Sequence, residues 1–361
     1  MSTPSPASAR LQGRILGIDV ARALAIVGML AVHVGPTDAQ GVLGRLYALP
    51  HGRASVLFVV VAGVGVTLLA SSRRRALSDV RRELAWRSAV LLAAGLALQS
   101  LDHGVLVILQ TYAPLFLVGA FAVGWSDVAL LVAAAAMSLA GPALFVAGHA
   151  LAPARYDRAA VRLTDGVAEI AHGIVLSGAY PLVVWVAPLL FGMWLGRRDL
   201  GTRATQLALV ASGAVVAVGA WLLPRGARVA FGADALQGWG RVLDATPHAQ
   251  TPAWLWTAAG SAAFVLGASL LAARAWPRAT WSLAATGQVA LTVYVGHLLA
   301  LHVWSDMLRA DTVAGGAASL VALTVLAATV ASAWRRRWQR GPLEAVLRWP
   351  TGGGAAPTRR R

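Results

Sequence analysis

Residues Arg14 to Val34 read RILGIDVARALAIVGMLAVHV. The stretch is apolar enough to cross a bilayer, which takes about 20 such residues. It nevertheless carries Asp19, Arg22 and His33. A charge inside a span costs about 3 kcal/mol on insertion scales, so it usually has a function. Asp19 and Arg22 are three positions apart and neighbour each other on one helix face. Arg22 and His33 are eleven apart, about three turns, so they share that face at a separation of ~16 Å. One stripe then holds a cation near one membrane surface and an imidazole near the other. The bland alternative is an interfacial ion pair, with His33 a polar residue satisfied between helices.

Composition settles the class. The chain is 58% hydrophobic, 13% charged and has a mean hydropathy of +0.65. Soluble domains sit nearer ~25% charged. This is the composition of an all-α polytopic membrane protein. Cysteine is absent, which excludes disulfides, thiol nucleophiles and cysteine metal sites. No H-E-x-x-H or comparable ligand spacing occurs, so no metal centre is expected. No phosphate-binding glycine loop is present either. The segment 1–13 is Ser/Pro-rich and reads as a disordered tail, residues 14–348 as a single transmembrane domain, and 349–361 as a disordered basic tail.

About ten transmembrane helices are expected, roughly at 15–34, 54–71, 87–103, 105–124, 128–149, 177–196, 204–223, 254–273, 281–303 and 313–334. Pro114 should kink or break the fourth. Arginines crowd the loops 71–87, 196–203 and 273–279 and the tail beyond 334, while the opposite loops balance Arg against Asp and Glu. The net charge of +16 therefore sits on one face, which the positive-inside rule makes cytoplasmic, with both termini inside. Because these cations flank spans, nucleic-acid binding is not supported.

The same topology collects the histidines at outer ends of spans or in outer loops. Imidazole titrates near neutrality and is the commonest general base. Pro50 to Phe58, PHGRASVLF, puts His51 and Arg53 at the mouth of the second span, a short loop from His33. Gly63 and Gly65 follow and would allow close helix contact. Gly287 to His302, GQVALTVYVGHLLALH, supplies Thr292, Tyr294 and His297 as lining groups. His172 to Pro181, HGIVLSGAYP, is a candidate outer rim. No internal repeat is evident.

These residues carry a resemblance. The opening stretch is similar to that of the transmembrane acyltransferases related to heparan-alpha-glucosaminide N-acetyltransferase, R-x-x-x-x-D-x-x-R-G-x-A-x-x-x-M followed by Asn or His. Arg14, Asp19, Arg22, Ala25, Met29 and His33 fill those places, with Ala23 where Gly is usual. The Arg22–His33 spacing also resembles the first motif of the acyltransferase-3 family. HGRASVLFVVVAGVG, SGAYPLVVWVAPLLFGMWLGRRDL, ALTVYVGHLLAL and the closing Gly341-Pro342-Leu343-Glu344 look like a bacterial branch of the same group.

The resemblance implies an enzyme of the bacterial plasma membrane. It would move an acyl group, acetyl in the first instance, from cytosolic acyl-CoA to an extracytoplasmic acceptor such as a sugar or envelope glycan. Acyl-CoA is then a co-substrate and no cofactor is permanently bound. In that group the catalytic His lies in the loop before the second span, and the place of His33 can be Asn. Both His33 and His51 are present here, so either can be the base. Arg22, steadied by Asp19, would bind the donor, and Arg53 would stabilise the oxyanion or orient the acceptor. The rival reading is a multi-pass transporter or exporter of an envelope precursor, its polar path lined by Asp19, Arg22 and His33. A homo-oligomer stays open.

Overall fold

Helix α1, Leu16–Val34, lies at the centre of the bundle. No proline interrupts it, and its end is fixed where the Gly35 N–H donates to the Ala31 carbonyl at 3.2 Å. Ala21, Ala23, Ala25, Ile26 and Leu30 are buried, so protein surrounds most of α1. The structure is a computed structural model and describes residues 15–71, 76–156 and 159–348. Both expected tails, Arg14 and the arginines at 73–75 lie outside the described residues.

Short α2, Gly41–Tyr47, precedes α3, Ala54–Ala70, and α4, Leu77–Gln99. Then come α5, Leu109–Ala122; α6, Asp127–Leu151; the short α7, Val167–Val175; and α8, Leu182–Leu195. The long pair α9, Arg203–Phe231, and α10, Pro252–Ala275, pack against each other. The chain closes with α11, Trp281–Gln288; α12, Ala290–Leu308; α13, Val313–Arg337; and α14, Pro342–Val346. Among the described residues there is no β-strand.

Five of these helices, α1, α6, α9, α10 and α13, are long and apolar enough to cross a membrane. The pair α11 and α12 makes a sixth if it is counted as one span. Helices α3, α5 and α8 are apolar but shorter. Peripheral helices turn large apolar side chains outward: Val128 and Val132 on α6, Val215 and Val218 on α9, Val321 and Leu326 on α13. Water would penalise such a surface and acyl chains would not, so it is the outside of a membrane protein.

Two expectations change. Pro114 neither breaks nor ends α5, which runs through it. It stands in the helix's second turn, where its missing N–H and its ring leave most of the helix's hydrogen bonds intact. The span expected at 281–303 is not continuous: α11 and α12 meet at Val289 with a bend of 78°. Val289 has φ −120° and ψ 34°, outside helical values.

Candidate functional site

Two polar clusters sit on α1, one near each end. The first is ionic. Asp19 is 3% exposed and accepts from the Arg22 Nη1 at 2.8 Å. Its other carboxylate oxygen accepts from the Gln288 side chain at 3.0 Å. Gln288 in turn accepts from the Arg335 Nε at 2.7 Å, and Arg335 also donates to the Trp338 carbonyl. A chain of side-chain bonds thus ties α13 to α1 through the break between α11 and α12. Arg22 also donates to the Gly287 carbonyl at 3.3 Å. Buried charges survive in apolar surroundings only when paired in this way.

Glycine makes the approach feasible. A Cβ on Gly287 would stand 2.7 Å from the Asp19 carbonyl carbon and 3.1 Å from the Ala23 nitrogen, so no larger residue fits. Gly65 serves differently, because a Cβ there would lie 4.0 Å from the Arg22 guanidinium. That is ordinary van der Waals contact, whereas Gly63 brings α3 against the α8 backbone. The first turn of α12 is capped by Glu344 of α14, which accepts from the Thr292 N–H at 3.0 Å and from its hydroxyl at 2.7 Å. A carboxylate at a helix N-terminus satisfies an orphan donor and the helix dipole together. The closing Gly341-Pro342-Leu343-Glu344 stretch therefore has a local structural role.

The second cluster opens into a cavity of about 810 Å³. His33, His51, His248, Tyr180 and Arg309 line it, with Asp38 and Asp311. His33 Nδ1 and His297 Nε2 are hydrogen-bonded at 3.0 Å, and the rings lie nearly parallel. One of the two imidazoles must donate, so the pair shares a proton. His33 Nε2 has no protein partner among the described residues. His297 is 6% exposed. Tyr294 packs edge-on against His297, with centroids 5.0 Å apart. His33 thus has a second imidazole behind it at hydrogen-bond distance.

His248 completes the cluster from a long loop. Its ring lies 5.6 Å from that of His51 and 5.6 Å from that of Tyr180, with Trp185 and Trp254 beyond. It is held at φ 57°, and Gln250 at φ 58°. Such left-handed non-glycine residues cost of order 1 kcal/mol and persist where surroundings fix them. Here Gln250, wholly buried, donates to the Ala179 carbonyl and accepts from the Trp185 indole. The far wall is fixed by Arg309, which donates to the His103 carbonyl at 2.5 Å, and by Ala310 N–H on the Val34 carbonyl at 2.9 Å. His103 lies in the loop after α4, where burial holds its imidazole below the usual range. Its Nδ1 accepts from the Val105 N–H at 3.1 Å.

Of the residues singled out from the sequence, Asp19 and Arg22 form one cluster and His33, His51 and His297 another, with Tyr294 behind them. Arg53 joins neither: it donates to the Leu49 carbonyl and lines a separate apolar groove. Sequence reasoning passed over Gln288, Arg335, Arg309 and His248. Among the described residues no group of three His or acidic residues is arranged to hold a metal ion.

The model of a family described as a protein of unknown function (DUF418) matches residues 202–354. No curated protein matches the chain. The matched part carries His248, Gln288, His297, Arg309, Arg335 and Glu344. Arg22, His33 and His51 stand outside it, so each cluster is built from both parts of the chain.

Proposed function

We propose that this protein is an integral membrane acyltransferase, taking an acyl group from cytosolic acyl-CoA and delivering it to an acceptor on the other side of a bacterial plasma membrane. The observation that carries the reading is that α1 alone bears both Arg22, in a paired ionic cluster, and His33, hydrogen-bonded to His297 at the edge of a large cavity. Arg22 would hold donor phosphates or carbonyl oxygens. His33 or His51 would take the proton of an acceptor hydroxyl or amine as its oxygen or nitrogen attacks the thioester carbon. The carbon–sulfur bond then breaks, and CoA leaves as a thiolate that regains a proton. Arg309, at the cavity wall, is better situated than Arg53 to steady the oxyanion. A polar cavity lined by imidazoles, Tyr180 and two carboxylates suits a sugar-like acceptor.

The same reading sets ten spans, the bent α11–α12 pair counting as one, with both termini cytoplasmic. Support comes from the meeting of Asp19 near the start of α1 with the Gln288–Arg335 pair near the end of α13. Their contact is what two ends on the same, arginine-rich face would make.

Transport is the second reading, and the 78° break beside Arg22 favours it, since broken helices commonly frame solute sites in carriers. A thioester-cleavage assay separates the two. Purified protein, given a panel of acyl-CoAs with sugar acceptors, should release free CoA and form acylated acceptor. Uptake of an unmodified solute into vesicles, with no CoA released from any donor, would establish transport instead.

A further inference from the structure

Two apolar grooves open on the sides of the bundle, and each has an arginine at one end. In the first, between α6, α8, α9 and α10, Arg198 lies over Trp194 and is paired with Asp127, so its charge is answered by protein. The second, of about 590 Å³, runs between α1, α3, α9 and α10 and ends at Arg53. Arg53 makes no ion pair among the described residues; its one hydrogen bond is to the Leu49 carbonyl. Arg225 stands at the same end, its guanidinium 3.6 Å from the centre of the Trp221 ring, and among the described residues it too donates only to a carbonyl, that of Trp221.

From Trp221 the groove descends along α9 to Ala214, and along α10 from Thr257 to Val265. That is ~10–12 Å at helical rise, a substantial part of one leaflet. Its walls are almost wholly apolar, and Leu24, Val218, Trp221 and Phe264 are exposed. An apolar channel of leaflet length, open to the side and headed by two unanswered cations, matches one ligand chemistry.

We propose that this groove binds an anionic phospholipid, with an acyl chain between α1, α3, α9 and α10 and the headgroup phosphate on Arg53 and Arg225. Guanidinium groups bind phosphate oxygens in a fork and retain charge at any physiological pH. The amphipathic Trp221 ring suits the boundary between headgroup and chain. The proposal gives Arg53 a role apart from the histidine cavity and stands whether or not the protein transfers acyl groups.

The test is native mass spectrometry of the full chain, delipidated in detergent and titrated with phosphatidylglycerol, with phosphatidylcholine of the same chains, and with inorganic phosphate. Phosphatidylglycerol should bind in preference to the other two. Arg53→Gln should weaken it about tenfold, as losing a charge-assisted contact does. Val218→Trp fills the exposed side of the groove, leaves both cations in place and should weaken binding as much. Arg198→Gln, in the other groove, should leave phosphatidylglycerol binding unchanged. Equal binding of both lipids, or unchanged phosphatidylglycerol binding in both Val218→Trp and Arg53→Gln, would overturn the proposal. So would a lipid-free dimer that Val218→Trp dissociates, because the occupant would then be a second copy of the chain.

Discussion

His33 and His51 both line the cavity, and His33 has a second imidazole, His297, hydrogen-bonded behind it. Its place on a buried helix also holds it more tightly than the turn holds His51. On the proposed chemistry, His33→Ala should lower acyl transfer ~10²-fold or more, within the usual range for losing a general base. His51→Ala should mainly raise the acceptor KM. His297→Ala should cut kcat while leaving acceptor KM near that of the parent. Steady-state kinetics with varied acceptor distinguishes these outcomes, and a kcat loss confined to His51→Ala would make His51 the base. Arg22 and His33 could be paired from the sequence because helical periodicity fixes which residues share a face. His248 and Arg309 could not, since they reach the cavity through long-range folding that no local period encodes. Arg53 lies apart from the histidine cavity for the converse reason: nearness in sequence to His51 does not decide which side of a turn a side chain takes.

Among the elements, the break between α11 and α12 is flanked by a contact from far along the chain. Glu344 supplies the N-terminal cap of α12, and both its carboxylate oxygens are engaged there. Glu344→Ala should cost about 1 kcal/mol locally, in line with lost helix caps. Hydrogen exchange should report it as faster amide exchange at Leu291 to Val293, with α9 and α10 unaffected. Exchange unchanged across α12 would show that the break holds without α14. The helices themselves were largely legible, because runs of apolar residues between arginine-rich turns are a strong signal. The interruption at Val289 was not. Gly287 and Gln288 read as ordinary members of an apolar run, and only the approach of α11 to Asp19 reveals why a small and then a polar residue stand there.

For the molecule as a whole, the first question is orientation. Ala233 is exposed in the loop after α9, on the face proposed as extracytoplasmic. The native chain has no cysteine, so Ala233→Cys provides a unique label. A membrane-impermeant maleimide should modify it in intact cells, and modification only after permeabilisation would invert the topology. A broader consequence follows from the rod that joins the two polar clusters. Neither a loop nor a hinge lies between Arg22 and His33, so their interval is set by helical rise and no side-chain motion can close it. If Arg22 grips the phosphate end of the donor, α1 acts as a gauge for the arm that carries the acyl group. A short thioester such as acyl-N-acetylcysteamine has no phosphates and cannot touch both ends of that gauge. It should react slowly, and at the same rate in Arg22→Ala as in the parent, while the CoA thioester loses its advantage in that variant.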